Sequence, residues 1–440
     1  MADLSVGPAE SLRGRVRVPG DKSISHRALL LGCLADGRSA IRGFLPSSDC
    51  LATLDCVRAL GIRVEVEAAT RVSVYGRGLR GLIAPVGPLD CGRSGTTMRL
   101  LAGTVAGRAF DGQEVTLTGH PQLLRRPMGR IARPLRRMGA HVETVDGHGP
   151  LTIRGAALRG WEHTLPVASA QVKSAILLAG LYADGPTVVH QPGPARDHTE
   201  LMLAAMGADI DMDGLTLTLT PPAAPLAPLI LTVPGDMSSA AFPLVAGLLV
   251  PGASVTVEAV GVNPTRTGLL DVLRAMGADI IGETAGSQGS EPVAHVRARS
   301  SRLRGAQVGG HTVVRMIDEF PLLAVAATQA EGVTTVRDAA ELRVKETDRI
   351  ACIASELGKM GGRIVPQPDG FAVAGPTPLR GAVVDSHGDH RIAMALAVAG
   401  LVAHGQTVVQ NANCIADSFP GFDRVMGTLG AAVRVMAVDE

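Results

Sequence analysis

Along the chain, apolar stretches with helical spacing stop at one recurring punctuation and give way to segments that read as strands. The copies are Leu60-Gly61-Ile62, Met138-Gly139-Ala140, Met206-Gly207-Ala208, Met276-Gly277-Ala278, Met360-Gly361-Gly362 and Leu429-Gly430-Ala431. Each glycine falls where a helix ends in a left-handed residue, a conformation that glycine takes without steric cost. The segments that follow, such as residues 62–66, 210–212 and 433–436, alternate or run apolar. The copies recur about every 70 to 80 residues, enough for a βαβ-type unit with extra strands. The pattern predicts six copies of one α/β unit, with the function located where the copies differ.

A second repeat groups the six into two halves. Val18-Pro19-Gly20-Asp21 recurs as Val233-Pro234-Gly235-Asp236, and both run into apolar helices predicted over 25–34 and 238–250. The first continues as Lys22-Ser23-Ile24-Ser25-His26-Arg27, the second as Met237-Ser238-Ser239-Ala240-Ala241-Phe242. Two cations, beside Ser23 and Ser25, at only one of two equivalent helix starts point to a one-sided anion site, because free N–H groups and the macrodipole favour an anion there. It is not a Walker A loop, since the Gly-Lys-Ser ending is absent.

Composition narrows the partners. With 440 residues the prior is two domains. A net charge of +1, no basic block and 2% aromatics give no platform for nucleic acid. Cys33, Cys50, Cys56, Cys91, Cys352 and Cys414 form no C-x-x-C pair and read as reduced, buried thiols of a cytoplasmic protein. Met1-Ala2-Asp3-Leu4 opens no secretory signal. The longest apolar stretches, 240–250 and 392–403, are too short to span a membrane, and Pro243 is expected to break the first. Residues 287–292 read as a loop tip.

Further polar helix starts carry the remaining chemistry. Residues 91–99 form a Gly-rich turn before a helix over 98–105, and its glycines permit close backbone approach to a ligand. Arg126 precedes Pro127, a position suited to forking onto a carboxylate or phosphate. Ser169-Ala170-Gln171-Val172-Lys173-Ser174 opens the apolar helix over 175–181, and Arg196-Asp197-His198-Thr199-Glu200 opens another. In the second half, Asp318-Glu319 precedes an apolar helix. Arg343 to Arg349 packs five charges into a helix start, where Lys345 and Arg349 are expected to share a face at i,i+4. Asp385 to Arg391 opens a helix over 392–402. His387 and His390 lack a third cluster at ligand spacing, so no metal is expected. If the helix starts of each half point to one end, the two ends are expected to face each other across a cleft rich in cations. The ligands would be two small, multiply anionic molecules, with carboxylates and Lys22 moving protons.

The segments 18–27, 92–99, Arg126-Pro127, 169–171, 343–349 and Asp389-His390-Arg391 together resemble the 5-enolpyruvylshikimate-3-phosphate synthase family, in order and over essentially the whole chain. The resemblance implies an inside-out α/β barrel of two domains with three repeats each. Residues 20–234 would form one domain, and 1–19 plus 235–440 the other. It implies transfer of the enolpyruvyl group of phosphoenolpyruvate to the 5-hydroxyl of shikimate 3-phosphate, with no metal or organic cofactor. It also implies small-molecule partners only, no membrane, and action as a monomer. Lys22, Ser23, Arg27, Ser169, Ala170 (by its backbone), Gln171, Arg196, Asp318 and Lys345 would hold shikimate 3-phosphate. Lys22, Gly95, Arg126, Gln171, Arg349, His390 and Arg391 would surround phosphoenolpyruvate. Asp318 would be the base for the 5-hydroxyl, and Glu346 with Lys22 the proton donors.

The chain departs from the family pattern in places. Arg93 stands where Asn is usual, adding a charge to the turn, and Asp417 stands where many members have Lys. Ser169-Ala170-Gln171 and the Arg196 segment look like the divergent second class of these enzymes, whereas Gly95 is the residue of inhibitor-sensitive members. The alternatives are the related enolpyruvyl transferase acting on UDP-N-acetylglucosamine, or a non-catalytic binder of phosphorylated metabolites. The first usually has a reactive Cys five residues before its Arg-Pro, where Pro121 stands here. Retention of Lys22, Asp318 and Glu346 together argues against the second.

Overall fold

The computed structural model describes residues 2–108 and 110–437. The chain divides into two compact units: a middle unit of Gly20–Val233 with Gln288–Glu291, and a terminal unit of Met1–Pro19, Pro234–Ser287 and Pro292–Glu440. Two details differ from the sequence expectation. Pro234 groups with the terminal unit and Gln288–Glu291 with the middle unit, the reverse of the expected bounds. Residues 287–292 are mostly strand, Asp279–Gln288 and Glu291–Arg299, and buried Glu291 is hydrogen-bonded to His198 of the middle unit at 2.6 Å.

Six four-stranded sheets correspond to the six repeats. In the first, the order is Ile230–Thr232, Asp36–Arg42, Arg71–Arg77, Arg63–Ala68. The leading pair is parallel, Ile230 opposite Ala40, and the others are antiparallel, with Asp36 opposite Arg77 and Arg63 opposite Tyr75. The middle unit's other sheets, centred on Glu114–Thr118 and Thr187–His190, repeat this parallel-then-antiparallel order. In the terminal unit, Arg13–Val16 runs parallel to Ser254–Gly261, and Gln307–Val308 to Gly332–Val336. The last sheet is completed by the N-terminal strand Ala2–Val6, between Thr407–Gln410 and Val433–Ala437. Each unit therefore closes three sheets with its own strands. The result is the two-domain, six-repeat α/β architecture of the inside-out barrel type.

All six punctuating glycines are left-handed, with φ of 82° at Gly61, 114° at Gly139, 85° at Gly207, 93° at Gly277, 90° at Gly361 and 99° at Gly430. A side chain is strained in that region, so the sequence could mark these helix ends only with glycine.

Inside each unit lie three helices that are apolar nearly all round: Lys22–Leu34, Gly95–Arg108 and Ala170–Gly180 in one, Met237–Leu249, Phe320–Thr328 and His390–Leu401 in the other. Such helices must be enclosed, and nearly every residue in them is buried. At Gly103 a Cβ would stand 2.1 Å from the Ala175 carbonyl oxygen, so only glycine lets the second and third helices touch. Pro243 does not break its stretch; it sits inside the helix Met237–Leu249. Enclosure overrides the loss of one backbone hydrogen bond. The helices that start at Gly95, Ala170 and His390 also begin two to five residues earlier than the apolar pattern indicates. Their polar first turns are themselves helical, which places Gly95, Ala170, Gln171, His390 and Arg391 in first turns.

Cys33, Cys50, Cys56, Cys91 and Cys414 are buried, whereas Cys352 is only half-buried. Burial pushes the Cys33 and Cys50 thiols up to about 12, which leaves them unreactive. No helix among the described residues is long and apolar enough to cross a membrane.

Two buried imidazoles make stability depend on pH. Burial, with Arg137 nearby, lowers His163 from 6.5 to about 4. Burial, with Lys22 and Arg27, holds His26 well below its ordinary value. Unfolding lets both take up protons below pH 6.5 that the folded form refuses. Their contribution is thus complete above 6.5 and is lost as pH falls toward 4, by at most about 3 kcal/mol for His163. Urea midpoints should fall between pH 7 and pH 5, with a smaller fall in His163→Gln. An equal fall in that variant contradicts this assignment.

Candidate active site

In the middle unit the polar residues gather at the starts of the three inner helices. Asp21 caps the helix Lys22–Leu34 by accepting from the Ile24 N–H at 2.9 Å, which leaves Lys22 as the first helical residue. Gly20 fits there because a Cβ would meet the Gly43 carbonyl oxygen at 1.9 Å. The Lys22 ammonium forms an ion pair with Asp49. Ser23 Oγ accepts from Arg196 Nη1 at 3.2 Å. Arg27 is buried; its Nε donates to Thr199 Oγ1 at 2.7 Å, Nη1 to the Ser23 carbonyl at 3.0 Å and Nη2 to Ser174 Oγ at 2.8 Å.

The second and third helix starts join through Gln171. Its Nε2 donates to Thr96 Oγ1 at 2.9 Å, and its Oε1 accepts from Arg99 Nη1. Ser169 caps the Ala170–Gly180 helix, accepting from the Val172 N–H at 3.5 Å. Ala170 follows as the first helical residue, where a backbone N–H has no partner within the helix. A Cβ at Gly95 would lie 2.9 Å from Arg126 Nη1 and 3.1 Å from Arg99 Nη1. Glycine there lets two guanidinium groups converge on a helix start. Beneath them runs a buried chain from His26 Nδ1 to Thr53 Oγ1 (2.6 Å), Thr97 Oγ1 (2.6 Å) and Ser94 Oγ (2.7 Å). It ties the first helix start to the second. Arg126 itself lies in the connection between the helices Pro121–Leu124 and Gly129–Met138.

In the terminal unit the site centres on Arg349, the first residue of the helix Arg349–Lys359 and only 2% exposed. Its Nε donates to Asp389 Oδ2 at 2.8 Å, its Nη2 to Glu346 Oε2 at 2.7 Å and to Asp389 Oδ1 at 3.3 Å, and its Nη1 to Asp318 Oδ1 at 3.3 Å. Burial opposes its charge, but Asp389, Glu346 and Asp318 outweigh that and raise its already high pKa. Lys345 Nζ lies 3.9 Å from the same Asp318 oxygen, and burial lowers its pKa against the pull of Asp318. Asp389 is fully buried. It caps the helix His390–Leu401 by accepting from the Arg391 N–H at 2.8 Å and also accepts from Thr347 Oγ1 at 3.3 Å. Among the described residues, buried Arg391 Nε and Nη1 have no hydrogen-bond partner. Glu319, next to Asp318, is pushed up by burial and by that neighbour, with Arg266 and Arg391 opposing.

The expected helical face shared by Lys345 and Arg349 is not what brings them together. Residues 340–344 form a short 3-10 turn, Lys345 is extended (ψ −153°), and the helix begins only at Arg349. Both nevertheless reach Asp318. His387 is engaged with Glu356 at 3.0 Å, and no group of three or more His, Cys, Asp or Glu among the described residues is arranged to hold a metal ion.

The sequence pattern did not mark several residues that hold the site. Asp49 pairs with Lys22, but in the sequence it is only a first-turn acid after Ser47-Ser48. Asp389 was visible as part of a motif but not as the partner of Arg349. Arg99 was visible as the end of the Gly-rich turn but not as the partner of Gln171. Ser174 and Thr199 were visible within two polar helix starts but not as partners of Arg27.

The model of the EPSP synthase (3-phosphoshikimate 1-carboxyvinyltransferase) family matches residues 6–426. A 3-phosphoshikimate 1-carboxyvinyltransferase of Geobacillus kaustophilus is 51% identical over 416 residues, covering 94% of this chain and 96% of that protein. One of Pelotomaculum thermopropionicum is 52% identical over 427 residues, covering 96% and 98%. A solved EPSP synthase structure from Acinetobacter baumannii superposes with a TM-score of 0.87 at 42% identity, covering 99% of this chain and all of that one. Matches of this extent, on a chain of six repeats with these charged helix starts, show that it belongs to the EPSP synthase family of enolpyruvyl transferases.

Proposed function

We propose that the chain carries out its family's reaction with the groups described above. That reaction transfers the enolpyruvyl group of phosphoenolpyruvate to the 5-hydroxyl of shikimate 3-phosphate and releases phosphate, a step of aromatic amino acid biosynthesis. The supporting observation is the arrangement around Arg349. One buried guanidinium holds three carboxylates, of which Asp389 is 0% exposed while Asp318 and Glu346 keep 17% and 22% exposure. Asp389 can only orient, whereas the other two can exchange protons with ligands. Asp318 would take the 5-hydroxyl proton as that oxygen attacks C2 of phosphoenolpyruvate, while Glu346 protonates the methylene carbon. Loss of phosphate, protonated by Lys22, and return of one methyl proton would restore the double bond.

The remaining residues bind. Lys22, Ser23, Arg27, Ser169, Gln171, Arg196 and Lys345, with the Ala170 backbone, would hold shikimate 3-phosphate. Lys22, Gln171, Arg126, Arg349, His390 and Arg391 would surround phosphoenolpyruvate at Gly95. Arg391 Nε and Nη1, which have no hydrogen-bond partner among the described residues, fit an anionic ligand. Each unit closes its own sheets, so we take the monomer as the working form, to be checked by sedimentation. The buried thiols suit a reducing compartment, and we place the action in the cytoplasm. Incubation with both substrates should yield enolpyruvyl product and phosphate in equal amounts. Phosphate with pyruvate in place of that product would overturn the reading.

Gly95→Ala should separate substrate from inhibitor. The methyl would force Arg126 Nη1 from 2.9 Å and crowd the phosphoenolpyruvate groups. Glyphosate is longer than phosphoenolpyruvate and should clash more. An added methyl in such a pocket is worth roughly 10–200-fold in discrimination. The wild type should be inhibited, and the variant's inhibition constant should rise by a larger factor than its KM for phosphoenolpyruvate. Equal changes, or a resistant wild type, would refute this.

A further inference from the structure

Arg27 is held by two hydroxyls from two different helices. Its Nε–Thr199 Oγ1 and Nη2–Ser174 Oγ hydrogen bonds are 2.7 and 2.8 Å, and the two hydroxyl oxygens are themselves 2.7 Å apart. Ser174 lies in the helix Ala170–Gly180 and Thr199 in the helix His198–Ala205, and both are buried. Each hydroxyl accepts from the guanidinium, and one donates to the other, so neither can rotate without breaking a bond. The fork is therefore fixed in plane and direction.

A residue adjacent to each hydroxyl adds a second tie. Lys173 and Glu200 form an ion pair at 1% and 0% exposure, and Lys173 Nζ also donates to the Ala195 carbonyl at 3.3 Å. A buried pair of this kind adds little net stability over apolar residues, but it admits only one register between the helices. That register sets the start of the His198–Ala205 helix and, just before it, Arg196, whose Nη1 reaches Ser23 Oγ.

We propose that Ser174 and Thr199 are positioning residues for shikimate 3-phosphate, aiming Arg27 directly and Arg196 through the helix start. This rests on the reaction proposed above. Neither residue is expected to touch the ligand. Thr199→Val keeps the shape and removes the hydroxyl; Thr199→Ser restores it; Ser174→Ala is a smaller change should Thr199→Val fold poorly.

The test combines calorimetry of shikimate 3-phosphate alone with steady-state kinetics. Thr199→Val and Ser174→Ala should each weaken shikimate 3-phosphate binding and raise its KM about tenfold, the usual size for a hydrogen bond to a charged group. The KM for phosphoenolpyruvate should stay within about twofold, and Thr199→Ser should recover most of the loss. Parallel rises in both KM values, no rescue by Thr199→Ser, or a lowered melting temperature with unchanged shikimate 3-phosphate affinity would overturn the proposal. A wild type that binds shikimate 3-phosphate but releases no phosphate with phosphoenolpyruvate would overturn the reaction instead, leaving the calorimetric comparison to decide the positioning role.

Discussion

Asp318→Asn is expected to lower kcat by on the order of 10²–10⁴ while leaving binding of both substrates within about tenfold, the signature of a lost general base. The carboxylate is held by Arg349 Nη1 at 3.3 Å and Lys345 Nζ at 3.9 Å, so its position does not depend on substrate. An amide keeps the shape and one acceptor oxygen but cannot take the 5-hydroxyl proton. It also leaves Arg349 with its stronger partners, Asp389 at 2.8 Å and Glu346 at 2.7 Å, so the site should persist. Rate constants come from steady-state turnover and affinities from calorimetry. If binding fell much further than rate, Asp318 would be an anchor for the ligand rather than its base.

Lys22→Met is expected to abolish measurable turnover, a loss of about 10³ or more, because it removes a cation assigned to both ligands and to the leaving phosphate. The ammonium sits at a helix start whose dipole already favours anions, and its partner Asp49 is only 10% exposed. Without Lys22 that carboxylate would face incoming phosphate uncompensated. Repulsion would then add to the lost attraction. Lys22→Arg should retain part of the activity, and the fold should tolerate both changes, since Lys22 keeps 16% exposure. Full activity in Lys22→Met would show that the middle-unit site is wrongly assigned.

The parts of this protein that were legible in its sequence are those with one physical solution. A helix that ends left-handed takes glycine, so the six punctuations were readable and each has positive φ. An apolar stretch with a charged start reads as an enclosed helix with its polar groups gathered at one end, so the polar clusters could be placed. The long-range strand pairing was not readable. Nothing in Ala2–Val6 or Ile230–Thr232 marks them as completing sheets hundreds of residues away, because register is set by long-range packing. The Arg349 cluster was half readable. Its charges were visible, but the i,i+4 spacing misled because Lys345 is extended, and the Asp389 contact spans 40 residues. Ser174 and Thr199 stood within polar helix starts, but their contact with Arg27 was unreadable, because a hydroxyl looks the same in sequence whether it faces a carbonyl or a guanidinium.

The central claim is that this chain moves an enolpyruvyl group onto shikimate 3-phosphate. Phosphate release from phosphoenolpyruvate, measured side by side with shikimate 3-phosphate and with UDP-N-acetylglucosamine as acceptor, tests it most directly. The account predicts steady release with shikimate 3-phosphate, lost in Lys22→Met and Asp318→Asn, and none with the nucleotide sugar. Release with UDP-N-acetylglucosamine, or none with shikimate 3-phosphate from protein that binds it, would contradict it.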